Sequence, residues 1–119
     1  MKNILFFDVD STGITRYPSK ITIELRKKYK DIKITACFLL GDEDTIDKNL
    51  FDSVIKICDF EYSAGRVIDY VKPDTVVVFA HRVPDYAFII EGNRRKIKTI
   101  TMQHGEERVN IYRSTLKDV

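Results

Sequence analysis

What most limits the folds open to this chain is a set of short apolar runs, rich in β-branched and aromatic residues and bounded by charge. Residues 4–9 (ILFFDV), 33–40 (KITACFLL), 75–80 (TVVVFA) and 98–102 (KTITM) have the length and composition of strands, and several lack any polar alternation. A strand that can bury both of its faces reads this way, which is the signature of a parallel sheet covered on both sides. A shorter run, 54–58 (VIKIC), reads as a further strand between the second and fourth.

Helical spacing fills the intervals. Ala64, Val67, Ile68 and Val71 recur at i, i+3, i+4 and i+7 behind a capping Ser63, and Pro73 stands just past the end. Pro84 opens a second helix that runs through Tyr86, Ala87 and Ile90 to Arg94, Arg95 and Lys96, whose charges suit the negative end of the helix dipole; Gly92 is its weak point. Between the first two strands, Ile21, Ile23 and Leu25 alternate while Ile21, Leu25 and Tyr29 share a helical face. A helix from Pro18 to about Lys30 is preferred, because parallel neighbours need a long crossover. Residues 41–49 (GDEDTIDKN) form a polar surface loop with at most one helical turn. The resulting order, β-α-β-loop-β-α-β-α-β, predicts a single Rossmann-like α/β domain of three layers, with a mostly parallel sheet of about five strands and helices on both faces.

Composition narrows the function classes. A chain of 119 residues that is 44% hydrophobic supports one core. Its 20 basic and 18 acidic residues are spread along the sequence, so nucleic acid is not an expected partner. Cys37 and Cys58 lie in apolar stretches without CxxC spacing and are expected to be buried, reduced thiols rather than zinc ligands or a disulfide. Asp8 and Asp10 interrupt the apolar amino terminus, which excludes a signal peptide or a spanning helix there and points to a cytoplasmic protein.

In an open α/β sheet ligands bind beyond the carboxyl ends of the strands. Those ends are Asp8-Val9-Asp10-Ser11-Thr12-Gly13, then Asp59, then Ala80-His81-Arg82, and finally Gln103-His104-Gly105-Glu106-Glu107. After Asp10, the residues Ser11, Thr12 and Gly13 read as a turn lining a cleft shared with His81 and His104. FFDVDST resembles the first motif of haloacid dehalogenase-like phosphatases, in which one carboxylate attacks phosphorus and the second donates a proton; that reading would also place Mg²⁺ at Asp8 and Asp10. A receiver-like magnesium site would add Asp59, but Ala80-His81 and Gln103-His104 stand where its hydroxyl and lysine belong. A non-catalytic Rossmann-like binding module is the alternative from a different class.

The second half of the chain supplies another resemblance. Lys72-Pro73-Asp74, the strand at 75–80, the helix from Pro84 to Lys96 and a last strand ending in Gln103-His104-Gly105 are similar to the amino-terminal half of GT-B glycosyltransferases and CDP-glycerol glycerophosphotransferases. Glu106 replaces the Thr-Pro frequent in the CDP-glycerol branch, which favours a polysaccharide transferase more broadly. The resemblance implies an acceptor-side domain in which His104 is the base or a phosphate contact, Gly105 opens the backbone, and Asp10, Ser11, Thr12, Gly13, His81, Arg82, Gln103 and Glu106 contact substrate. It implies no cofactor, a saccharide or polyol-phosphate acceptor, and a nucleotide-sugar or CDP-glycerol donor held by a second, carboxyl-terminal domain. The 119 residues would then be inactive alone, and the full-length protein is expected in the cytoplasm or peripheral at the inner membrane face. Ile111, Tyr112 and Leu116 suit a last amphipathic helix or the start of a longer chain.

Overall fold

Strand β1 (Lys2–Asp10) runs through the centre of the sheet, and its side chains alternate between two cores. Leu5, Phe7 and Val9 point to one face, Ile4 and Phe6 to the other, and all are buried. The computed structural model describes residues 1–102. Around β1 lie β2 (Ile32–Leu40), β3 (Ser53–Lys56), β4 (Thr75–Val78) and β5 (Lys98–Thr101), in the order β3-β2-β1-β4-β5 with every pair parallel. Helices α1 (Ser11–Lys28), α2 (Ala64–Val71) and α3 (Val83–Arg94) make the crossovers, α1 on one face and α2 with α3 on the other. This is the expected Rossmann-like α/β domain.

Local chemistry explains where the elements depart from expectation. Helix α1 begins at Ser11, well ahead of Pro18, because the Asp10 carboxylate caps it by accepting from the Thr12 backbone N–H at 3.1 Å. Pro18 therefore lies inside the helix, where it has no N–H to donate. The Ser19 hydroxyl donates to the Ile14 carbonyl instead, at 2.9 Å, satisfying the acceptor that Pro18 leaves open. The acidic loop carries two 3-10 turns rather than one, Glu43–Thr45 and Lys48–Leu50, and it buries Ile46 and Phe51 over the α1 face where a crossover helix would otherwise pack. Strand β3 stops at Lys56, and Ile57–Phe60 is a 3-10 turn, so Asp59 belongs to a turn.

On the other face, Phe7 stacks on Phe88 with ring centroids 4.3 Å apart. Gly92 has a positive role there: a Cβ at this position would come within 2.7 Å of the Thr99 methyl, so the missing side chain lets α3 lie close on β5. Cys37 is buried as expected, and burial pushes its thiol pKa up, whereas Cys58 is exposed, which corrects the expectation for that residue. No helix among the described residues is long and apolar enough to cross a membrane.

Candidate functional site at the switch point

The direction of sheet growth reverses beside β1: α1 leads to β2 on one side, while α2 carries the chain across to β4 on the other. The connections diverge at the carboxyl ends of β1 and β4 and leave a crevice. An open cleft of about 470 Å³ occupies that position, lined by Asp8, Asp10, Thr12, Gly13 and Arg16 from β1 and α1 and by Ala80 and Arg82 from the connection after β4.

Asp8 is the centre of this cleft, and the alternation of β1 explains why it points where it does. It follows Ile4 and Phe6 on the α1 face, so a carboxylate stands where the next core side chain would be, only 2% exposed. Three features accommodate the charge. Arg82 Nη2 donates to Asp8 Oδ1 at 3.1 Å, and the Asp10 backbone N–H donates to the same oxygen at 3.2 Å. Gly13, in the first turn of α1, lies directly over the carboxyl group; any Cβ there would overlap Asp8. The first turn of a helix, with its unsatisfied N–H groups, favours a nearby negative charge.

Arg82 is held from a second side. It is the N-cap of α3, and Asp85, at the third helical position, accepts its backbone N–H at 3.1 Å and its Nε at 3.4 Å. Asp85 is fully buried, and its second oxygen, Oδ1, has no hydrogen-bond partner among the described residues. Burial pushes the Asp85 carboxyl above its ordinary value, with the charge of Asp8 adding to the rise and Arg82 opposing it. One guanidinium, itself 43% exposed, thus faces two buried carboxylates.

The predicted residues divide accordingly. Asp10, Thr12, Gly13 and Arg82 come together at the cleft, although as the first turn of a helix and its cap rather than as a loop. Ser11 does not join them. Its hydroxyl turns toward β2, accepting from the Asp42 N–H at 3.0 Å and lying 3.1 Å from the Thr45 hydroxyl, and Gly41 (φ +110°) packs against it. His81 is exposed, outside the cleft lining, with its ring 6.0 Å from that of Tyr86. Gln103, His104, Gly105 and Glu106 lie outside the described residues, as do Ile111, Tyr112 and Leu116.

Sequence reasoning missed Asp85 and Arg16. Asp85 had a readable signal, an acidic residue three positions after a cap and next to Pro84, which is the helix-start pattern. Arg16 had none; its place is set by the i, i+4 relation to Thr12 once α1 is known to start at Ser11.

Chemically, the cleft alternates acceptors with donors: two carboxylates, two guanidinium groups and a threonine hydroxyl within one crevice. A group that must attack phosphorus needs an open approach; Asp8 lines the cleft but lies beneath Gly13, with its Oδ1 paired to Arg82. Among the described residues no cluster of three or more His, Cys, Asp or Glu side chains is arranged to hold a metal ion.

No protein-family model matches the sequence, and neither does any curated protein. The fold does have a counterpart among solved structures: UDP-GlcNAc 2-epimerase from Neisseria meningitidis, determined bound to UDP-GlcNAc, superposes with a TM-score of 0.62 at 17% identity over 85% of this chain. The chain spans 32% of that protein's length, and the likeness is one of fold.

Proposed function

We propose that this chain is the acceptor-side domain of a glycosyl- or glycerophosphate-transferase of surface polysaccharide biosynthesis, and that the switch-point cleft seats its saccharide or polyol-phosphate acceptor. The observation that carries the reading is the Asp8–Arg82 pair, set across the reversal of strand order with Asp10, Thr12 and Arg16 around it. Neighbouring hydroxyls of a sugar each donate and accept, and a crevice in which carboxylates alternate with guanidinium and hydroxyl groups meets both needs. Arg16 and the exposed edge of Arg82 also suit a phosphate on the acceptor. The fold-level likeness to an enzyme crystallised with a nucleotide sugar supports sugar processing in general.

In this reading a second domain binds the nucleotide-sugar or CDP-glycerol donor. Strand β5 ends at Thr101 on the same edge of the sheet as Asp8, and His104 follows three positions later in the sequence. Its imidazole would take the proton of the acceptor hydroxyl as that oxygen attacks the donor and the nucleotide leaves. The full-length enzyme would work in the cytoplasm, peripheral at the inner membrane face.

Titration of the 119-residue chain with methyl glycosides and glycerol phosphate, followed by amide chemical shifts, tests the assignment. Saccharide should move the signals of Thr12, Gly13 and Arg82, and Asp8→Asn should weaken binding by about tenfold, the loss of one or more hydrogen bonds to a charged group. Binding of UDP or CDP in this cleft without saccharide binding would make it a donor site and overturn the reading. Capture of beryllofluoride with Mg²⁺ at Asp8 would favour the phosphatase, and silence toward every ligand would leave a non-catalytic module.

A further inference from the structure

A second cavity, of about 240 Å³, opens at the same edge of the sheet as the cleft. It is lined by Leu39 and Ile57, by Tyr62 and Ala64 at the start of α2, and by Val83 and Ala87 in α3. The first turn of α3 separates the two spaces: Arg82 faces the polar cleft and Val83, the next residue, faces the apolar one. We infer that this cavity receives an apolar aglycone, a ring or alkyl chain joined to the saccharide bound in the cleft; the inference rests on the saccharide reading above.

Three observations carry it. The lining supplies hydrocarbon and only the Tyr62 phenol as a polar group, so it has too few partners to read the edge of a nucleobase and suits a plain hydrocarbon. Its volume falls below the roughly 300–1,000 Å³ of a site for a whole drug-sized ligand, so it takes a part of one. The apolar side chains at its rim are left open to solvent, with Val83 82% and Tyr62 68% exposed. Tyr62 stands out in particular, because it follows Glu61 in a second left-handed conformation, each with φ 57°. The two residues close the 3-10 turn, the Tyr62 N–H donating to the Ile57 carbonyl at 3.0 Å, and the turn holds the Tyr62 ring at the cavity rim with little burial. The groove over β4 and β5 on the α1 face, between Ile21, Leu25, Val77 and Ile100, is equally apolar but lies along the sheet rather than at the cleft, which makes it an internal control.

The test compares methyl glucoside with octyl glucoside, below its micelle concentration, on the full 119-residue chain with labelled methyl groups. Octyl glucoside should bind about tenfold or more tightly than methyl glucoside, since each buried methylene contributes several-fold. It should also move the Leu39, Val83 and Ala87 methyls, and Ala87→Phe should abolish the gain while leaving the affinity for methyl glucoside intact. Should Ala87→Phe fold poorly, Tyr62→Gly serves instead: it suits the left-handed backbone and so keeps the fold, yet it should lose much of the gain. Equal affinity for the two glucosides, or shifts confined to Ile21, Leu25 and Ile100, would overturn the inference. If methyl glucoside leaves Thr12, Gly13 and Arg82 unmoved while octyl glucoside still moves the cavity methyls, the apolar site stands and the saccharide reading fails; if the alkyl chain adds nothing, the reverse holds.

Discussion

Helix α3 carries an arginine at each end, and each arginine is gripped by two carboxylates, one local and one distant. At the carboxyl end Arg95 binds Glu91, one turn back, at 2.6 Å and Asp69 of α2 at 2.8 and 3.1 Å. At the amino end Arg82 binds Asp85, three residues on, and Asp8 of β1. The chemistry is the same but the environments are opposed. Arg95 sits where the helix dipole welcomes a cation, its carboxylates lie near solvent, and its hydrogen bonds hold both Asp69 and Glu91 below their ordinary pKa values. Arg82 caps the end that disfavours a cation, and its carboxylates are buried, so that for Asp85 desolvation outweighs attraction. The Arg95 cluster fastens α2 to α3; the Arg82 cluster expends stability to keep charged groups beside a cleft.

The largest effect that follows is the loss of Arg82. Arg82→Ala strands two buried carboxylates, and breaking a buried pair typically removes ~3–5 kcal/mol; solvent reaches the Arg82 guanidinium, so about 2–3 kcal/mol is expected in urea unfolding. Against a typical total of ~5–15 kcal/mol that is a large fraction. Adding Asp8→Asn and Asp85→Asn to the same chain should recover much of the loss, because the uncompensated charge goes with them. If Arg82→Ala is neutral, the amino-end cluster is no more strained than the carboxyl-end one and the contrast collapses.

Gly13→Ala comes next. The new methyl overlaps the Asp8 carboxyl, so either α1 lifts or Asp8 turns from Arg82; overpacking of this kind costs about 1–3 kcal/mol. Combined with Asp8→Ala, which empties the space, the same substitution should be much milder. Equal penalties in both backgrounds would mean that Gly13 is required for some reason other than Asp8.

These two substitutions also show what could be read from the sequence and what could not. The apolar runs announced the parallel sheet because burial on both faces leaves no room for polar alternation, and the period of residues 64–71 announced α2. Asp10-Ser11-Thr12-Gly13 was legible as a chain reversal but not as a helix start, since residues that favour turns also favour caps and Pro18 suggested a later beginning. Which of its hydroxyls faces the cleft depends on the phase of α1, and this sends Ser11 to the β2 loop and Thr12 to the cleft. The role of Gly13 depends on a contact with a residue on another element, and the meeting of Asp8 with Arg82 spans 74 positions. No local pattern encodes either.

The two clusters should also respond to pH with opposite sign. Asp85 has a folded pKa above its ordinary 3.8, so the folded state holds that proton more tightly than the unfolded chain does. Its contribution is fully present below 3.8 and is lost as pH rises through the folded value. Asp69 and Glu91 are depressed from 3.8 and 4.5, so their contribution is present above those values and is lost as pH falls through the folded ones. Urea midpoints measured from about pH 3 to about pH 8, across the ordinary carboxylate range, should show Asp85→Asn flattening the decline on the high-pH side. Asp69→Asn with Glu91→Gln should flatten the rise on the acid side. Matching slopes in the two variants would show that burial does not separate the clusters.

The smallest effect belongs to Arg95→Ala. Asp69 is exposed and Glu91 keeps partial access to solvent, so mainly the net attraction is lost, and pairs with this access to water contribute little. The shift in urea midpoint should be well below that of Arg82→Ala and should shrink further in 1 M salt, where screening reaches about 3 Å. The loss from Arg82→Ala should change less with salt, since a carboxylate under Gly13 is shielded from ions by protein. Salt thus distinguishes the ends of α3 without any ligand: a fastening made at the surface dissolves into the ionic atmosphere, whereas a charge buried at the head of the cleft keeps its demand for a partner.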